Sequence, residues 1–201
     1  MSPEYEMKIL LVGDKESQYI WEHYDYDRFS GLDFIISTGD LKPEFLSFLV
    51  TITNVPLFYV HGNHDTLYKT IPPEGCDSID GKFIKYKGLR IMGLGGSQFY
   101  NSRNHQYTES EMSRRLLKLK PYILFNKGVD IFVSHAPAFG LGDGKDLCHT
   151  GFKCFTKLIE TYQPAYHFHG HQHLNYGDTE RSITKNNTKI INSYEYQLLE
   201  F

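Results

Sequence analysis

The chain has 201 residues, 40% of them apolar and 22% charged, with a formal net charge of −3. This length can bury a sizeable core and is read as a single domain over 1–201, while the charge leaves no broad basic field of the kind that supports strong nucleic-acid binding. Three cysteines, Cys76, Cys148 and Cys154, make no disulfide framework, no run reaches the ~20 apolar residues that span a bilayer, and MSPEYEMK has no leader character. The expectation is a cytoplasmic protein without membrane association.

Strands and helices alternate at first. Lys8 to Gly13 reads as a strand and Ser17 to Phe29 as a helix, with Ile20, Trp21, Tyr24 and Phe29 on its apolar face. Asp33 to Gly39 is the next strand, Pro43 opens a helix in PEFLSFLVTI, and Pro56 to His61 is a third strand. This βαβαβ opening predicts a parallel sheet. Lys82 to Tyr86 and Leu89 to Leu94 form a hairpin about Lys87-Gly88. A helix begins near Thr108, which stands in capping-box spacing with Glu111. After a strand at Asp130 to Ser134 come a Gly-rich loop, PAFGLGDGKDLCHTG, a helix to about Tyr162, and three strand-like runs: AYHFHGH, TKIINS and YQLLEF. Asn186-Asn187-Thr188 reads as a polar turn. The whole predicts two packed sheets with helices outside.

Metal-type ligands stand at the ends of the apolar runs: Asp14, Asp40, Asn63, His135, His171 and His173. Buried parallel strands carry near-continuous apolar runs, and open α/β sheets place their sites at the carboxyl ends of the strands. In GHQH the two imidazoles lie two residues apart, so an extended backbone turns both to one side, toward two adjacent metals. Asp40 is a hard oxygen ligand able to bridge two cations, Asn63 offers a neutral carbonyl oxygen, and His135 a nitrogen. A lone strand-end histidine is more often a surface or capping residue, and GD alone is mostly a turn; the ordered set argues against coincidence. His61, His167 and His169 read as core or supporting residues, and His23 and His105 as surface residues. Cys148 and Cys154 lack the CxxC spacing of a zinc site.

LLVGDKE at 10–16, STGD at 37–40, GNHD at 62–65, SHAP at 134–137 and GHQH at 170–173 together resemble the calcineurin-like metallophosphoesterase family over nearly the whole chain. The resemblance implies an α/β/β/α sandwich of two mixed sheets flanked by helices. It implies two divalent ions, commonly manganese, iron or zinc. Asp14, Asp40 and His173 would hold the first; Asn63, His135 and His171 would hold the second with a bridging Asp40. Hydroxide generated at a dinuclear metal centre would attack a phosphoester in line. His64 would act on the leaving oxygen, and Asp65 either orients His64 or caps a turn. The stretches GGSQFYNSRNHQYTESEM and GLGDGKDLCHTGF look like the smaller phosphodiesterase-type branch, so a small phosphate ester, a nucleotide among the candidates, is the expected substrate.

One residue departs from the family pattern. Asp-x-His is expected at the first strand, and Glu16 stands in the histidine's place. Either Glu16 is a ligand, which favours Mg or Mn over softer ions, or it faces solvent or a neighbouring residue and the first site is weak. Lys15 either approaches a substrate phosphate or is a solvated lysine. The alternative to a metal-dependent phosphodiesterase or phosphomonoesterase is a binding module on a degenerate phosphoesterase fold.

Overall fold

The computed structural model describes residues 7–101, 104–174 and 180–201. Ser102 and Arg103 of the stretch GGSQFYNSRNHQYTESEM and most of the N-terminal segment lie outside the described residues.

The first sheet is built from β1 (Lys8–Gly13), β2 (Phe34–Ser37), β3 (Leu57–Tyr59) and a two-residue β4 (Asp77–Ser78), all parallel. Two helices belong to this half, α1 (Gln18–Glu22) and α2 (Pro43–Thr53). The second sheet contains β5 (Lys82–Tyr86) and β6 (Leu89–Leu94), and a small ribbon of β7 (Ser97–Gln98) and β8 (Gln106–Tyr107) follows. Then come α3 (Glu109–Phe125), β9 (Ile131–Ser134), α4 (Lys153–Tyr162), β10 (Tyr166–His169), β11 (Ser182–Lys185) and β12 (Thr188–Asn192). The last strand, β13 (Glu195–Glu200), returns to the first sheet and pairs antiparallel with β1. Spatial orders are β13-β1-β2-β3-β4 and β11-β12-β10-β9-β6-β5. Both sheets are mixed, as expected: β6, β9, β10 and β12 run parallel, with antiparallel β5 and β11 at the edges.

Alternation along the strands explains the layers. Ile9, Leu11, Phe34 and Ile36 of the first sheet meet Ile91, Ile131, Val133, Phe168 and Ile191 of the second in one apolar cluster between the sheets. The opposite faces are also apolar. Leu10, Val12, Ile35 and Leu57 pack under Ile20 of α1 and Phe45, Leu46 and Leu49 of α2. Met92, Phe132 and Ile190 pack under Met112, Leu116 and Leu119 of α3 and Phe155, Leu158 and Ile159 of α4. Strands covered on both faces need apolar residues at successive positions, hence the unbroken runs.

The predicted capping box is present: Thr108 accepts from the Glu111 amide, and Glu111 accepts from the Thr108 amide at 2.8 Å. The hairpin between β5 and β6 turns on Lys87 at φ 46° and Gly88 at φ 84°, the doubly left-handed pair of a type I′ turn. The helix expected over 17–29 is shorter and stops at Glu22. The Asp25 carboxylate accepts from the Arg28 amide at 3.1 Å and closes a turn instead, while Tyr24 and Phe29 stack at 5.1 Å and still reach the α1–α2 core. Among the described residues no helix is long and apolar enough to cross a membrane.

Candidate metal centre

Each cluster residue follows the carboxyl end of a parallel strand: Asp14 after β1, Asp40 after β2, Asn63 after β3, His135 after β9 and His171 after β10. Three of these turn sharply out of their strands, with Asp14 at φ 63°, Asp40 at φ 56° and His171 at φ 69°. Left-handed backbone at a residue with a side chain costs about 1–2 kcal/mol, and such strain is concentrated where function requires it. The turn between β2 and Asp40 also needs Gly39, whose φ is 98° and whose missing Cβ leaves room for the Gly62 backbone.

The lone pairs converge. His135 Nε2 lies 2.9 Å from Asn63 Oδ1, 3.1 Å from His171 Nδ1 and 3.4 Å from Asp40 Oδ2. Backbone carbonyls orient both rings: His135 Nδ1 sits 2.9 Å from Thr38 O, and His171 Nε2 sits 2.6 Å from Cys148 O. A carbonyl only accepts, so each of those nitrogens carries the N–H and the opposite nitrogen turns its lone pair to the cluster. Two imidazole nitrogens, an amide oxygen and a carboxylate oxygen therefore face one another, an arrangement that calls for a cation. Burial lowers the His135 pKa, but the Asp40 charge beside it more than reverses this and raises it to about 9; burial raises that of Asp40, and His135 reverses it to about 2.

Asp14 borders this cluster. Its Oδ1 accepts from the His171 amide at 2.7 Å, and its Oδ2 is buried with no hydrogen-bond partner among the described residues. Burial first, and then Asp40, raise its pKa to about 7. Gly170 makes this fit possible, because a Cβ there would come within 2.5 Å of Asp14 Oδ2. An orphaned buried carboxylate oxygen beside converging lone pairs suits a second cation.

The remaining sequence candidates lie outside the tight Asp40–His135–His171 group. His173 is exposed, its ring 5.3 Å from that of Tyr194. Glu16 borders the same cleft as Asp40, His64 and Asp65, but its carboxylate accepts from the Lys42 amide at 3.1 Å at the start of α2. Lys15 is half-exposed and 3.9 Å from Glu195. The ring of His64 is exposed, and its amide donates to Asp40 Oδ1 at 2.8 Å. Asp65 takes the turn-capping role: its Oδ2 accepts from the Gly62 and Asp40 amides at 2.7 and 2.9 Å, tying GNHD to the Asp40 turn. His167 and His169 are buried, the former 2.8 Å from Ser134 Oγ, as a supporting role requires. His105 is not the surface residue expected, since its ring stacks on His61 at 4.8 Å.

Sequence reading passed over Tyr100. Asn63 Nδ2 donates to its hydroxyl at 3.0 Å, which turns Asn63 Oδ1 toward His135. Tyr100→Phe removes only this acceptor, so the affinity of the ion at Asn63 is expected to drop by roughly 10-fold, the low end for a supporting partner; identical manganese titration curves would exclude the role. Glu16→Gln keeps an acceptor for Lys42 and is expected to leave metal titration unchanged. Loss of one binding phase in Glu16→Gln would instead make Glu16 a ligand.

A family model described as calcineurin-like phosphoesterase matches residues 7–175. The chain belongs to the calcineurin-like phosphoesterase family, whose members in general hydrolyse phosphoesters with divalent metal. A UPF0046 protein of Caenorhabditis elegans is 25% identical over 194 residues, covering 80% of this chain, which spans 62% of that relative's length. TT1561 of Thermus thermophilus has a similar fold, with TM-score 0.63 and 16% identity over 94% of this chain and 89% of that one. A 5'-nucleotidase from Candida albicans SC5314 aligns with TM-score 0.54 and 13% identity over 93% of this chain and 45% of its own.

Proposed function

We propose that this chain, as a single phosphoesterase domain, is a cytoplasmic hydrolase of small phosphate esters, a phosphodiesterase rather than a phosphomonoesterase, working at a dinuclear centre with manganese the favoured metal. The convergence of Asn63 Oδ1, His171 Nδ1 and Asp40 Oδ2 on His135 Nε2, within 3.4 Å, carries the reading. Asn63, His135 and His171 would hold one ion, Asp14 and His173 the other, with Asp40 shared. The second site is completed by an exposed histidine, and the hard Asp14 and Asp40 oxygens favour manganese or magnesium there. Free thiols at Cys76, Cys148 and Cys154 support the cytoplasmic assignment.

When bound, the two ions supply a water of lowered pKa and neutralise charge on the phosphoryl oxygens. The protein's own part is orientation and proton handling. The Thr38 and Cys148 carbonyls hold the imidazoles in the ligating tautomer. The amide of His64 is anchored on Asp40, which places its exposed ring at the edge of the cleft, where it can donate a proton to the leaving oxygen. Small phosphate esters, with nucleotides among the candidates, are the substrate class.

Assays of metal-stripped protein reloaded with manganese, on chromogenic phosphodiester and phosphomonoester substrates, test the proposal. Metal-dependent turnover with preference for the diester is expected. Metal uptake without turnover on either substrate would favour a binding module, the reading that the Glu16 departure supports.

A further inference from the structure

We propose that Asp146, Cys148 and His149 form a separate metal site, selective for a soft divalent ion of the zinc class, on the loop that orients His171. This site does not depend on the proposed function. Cys148 Sγ lies 2.9 Å from Asp146 Oδ1 and 3.4 Å from His149 Nδ1, and His149 Nδ1 lies 2.8 Å from Asp146 Oδ2. A tetrahedral zinc with Zn–S near 2.3 Å and Zn–N near 2.0–2.1 Å separates sulfur and nitrogen by about 3.6 Å. The sulfur–nitrogen spacing already approaches this, and a small rotation of the exposed Asp146 carboxylate opens the other edges.

The turn is built beforehand. Asp146 Oδ1 accepts from the His149 amide at 2.9 Å, and Asp146 O accepts from the Thr150 amide at 3.0 Å and its hydroxyl at 2.7 Å. A carboxylate and a thiolate neutralise a divalent charge, and the thiolate selects zinc-class metals over magnesium or manganese. On binding, the thiol proton leaves to solvent and the imidazole proton moves to Nε2, freeing the sulfur and Nδ1 lone pairs. With three protein ligands at the surface, the fourth position is left to solvent or an anion. The site is tied to the main centre: Cys148 O accepts from His171 Nε2 at 2.6 Å, and His149 O accepts from Gln172 Nε2 at 2.8 Å. An ion here therefore stiffens the segment that fixes the His171 tautomer.

Cobalt(II) titration of the full chain tests this, because only a thiolate ligand produces the near-ultraviolet sulfur-to-cobalt charge-transfer band. The band is expected in the wild type, in Cys76→Ser, in Cys154→Ser and in Asp40→Asn; it is expected to vanish in Cys148→Ser and to weaken at least several-fold in His149→Ala. Zinc bound at equilibrium should fall by about one equivalent in Cys148→Ser, with an unchanged circular dichroism spectrum. No charge-transfer band at saturating cobalt, or one that survives Cys148→Ser, overturns the site. A band present while Asp40 and its partners take up no metal would leave this site standing and overturn the dinuclear proposal instead.

Discussion

Asp40→Asn is expected to lose both metal ions together and more activity than a change at any terminal ligand. Asp40 Oδ1 already accepts from the His64 amide and Oδ2 faces His135, so an asparagine keeps its oxygen on the amide and turns an NH₂ toward the ligand cluster. The substitution removes a negative charge that offsets two cations and puts a donor where a lone pair was. Loss of a supporting partner costs roughly 10–100-fold in metal affinity; loss of the shared ligand should exceed that at both sites. Calorimetric titration with manganese, run beside Asn63→Ala and His173→Ala, measures it. Two ions bound with wild-type affinity would exclude a shared carboxylate.

His64→Ala is expected to keep both ions and to lower turnover by the ~10²–10⁴ typical of a proton-transfer residue. The exposed ring makes no contribution to the core, so folding should not change. Substrates with good leaving groups need little protonation, and their loss should be smaller, which a purely structural role would not produce. A parallel loss of metal and activity would place His64 among the ligands. Because Asp65 serves the Gly62 and Asp40 amides and not the His64 ring, Asp65→Asn is expected to disturb metal binding more than leaving-group dependence.

Much of this architecture was legible in the chain because the cause was local. Unbroken apolar runs announced strands covered on both faces, Thr108 and Glu111 announced a helix start, and Lys87-Gly88 announced a hairpin. The gathering of the candidate residues at the strand ends was equally readable, since parallel strands bring their carboxyl ends to one edge whatever the loop details. The short α1 was not, because the Asp25 carboxylate competed for the backbone over only a few residues.

Chain order alone determined which residue types reach the site: Asp14, Asp40, Asn63, His135 and His171 follow their strands by local rule. Tertiary structure decided which of them converge and which nitrogen of each ring carries the lone pair. Both depend on partners far away in the chain, Thr38 for His135 and Cys148 for His171. It also gave the Glu16 carboxylate a partner that the motif does not show, the Lys42 amide at the start of α2. It gathered Asp146, Cys148 and His149 into a tight turn that the sequence shows only as an ordinary loop. Such choices rest on hydrogen bonds with fixed direction between side chains and distant backbone. A residue pattern does not encode that geometry until the sheets have packed.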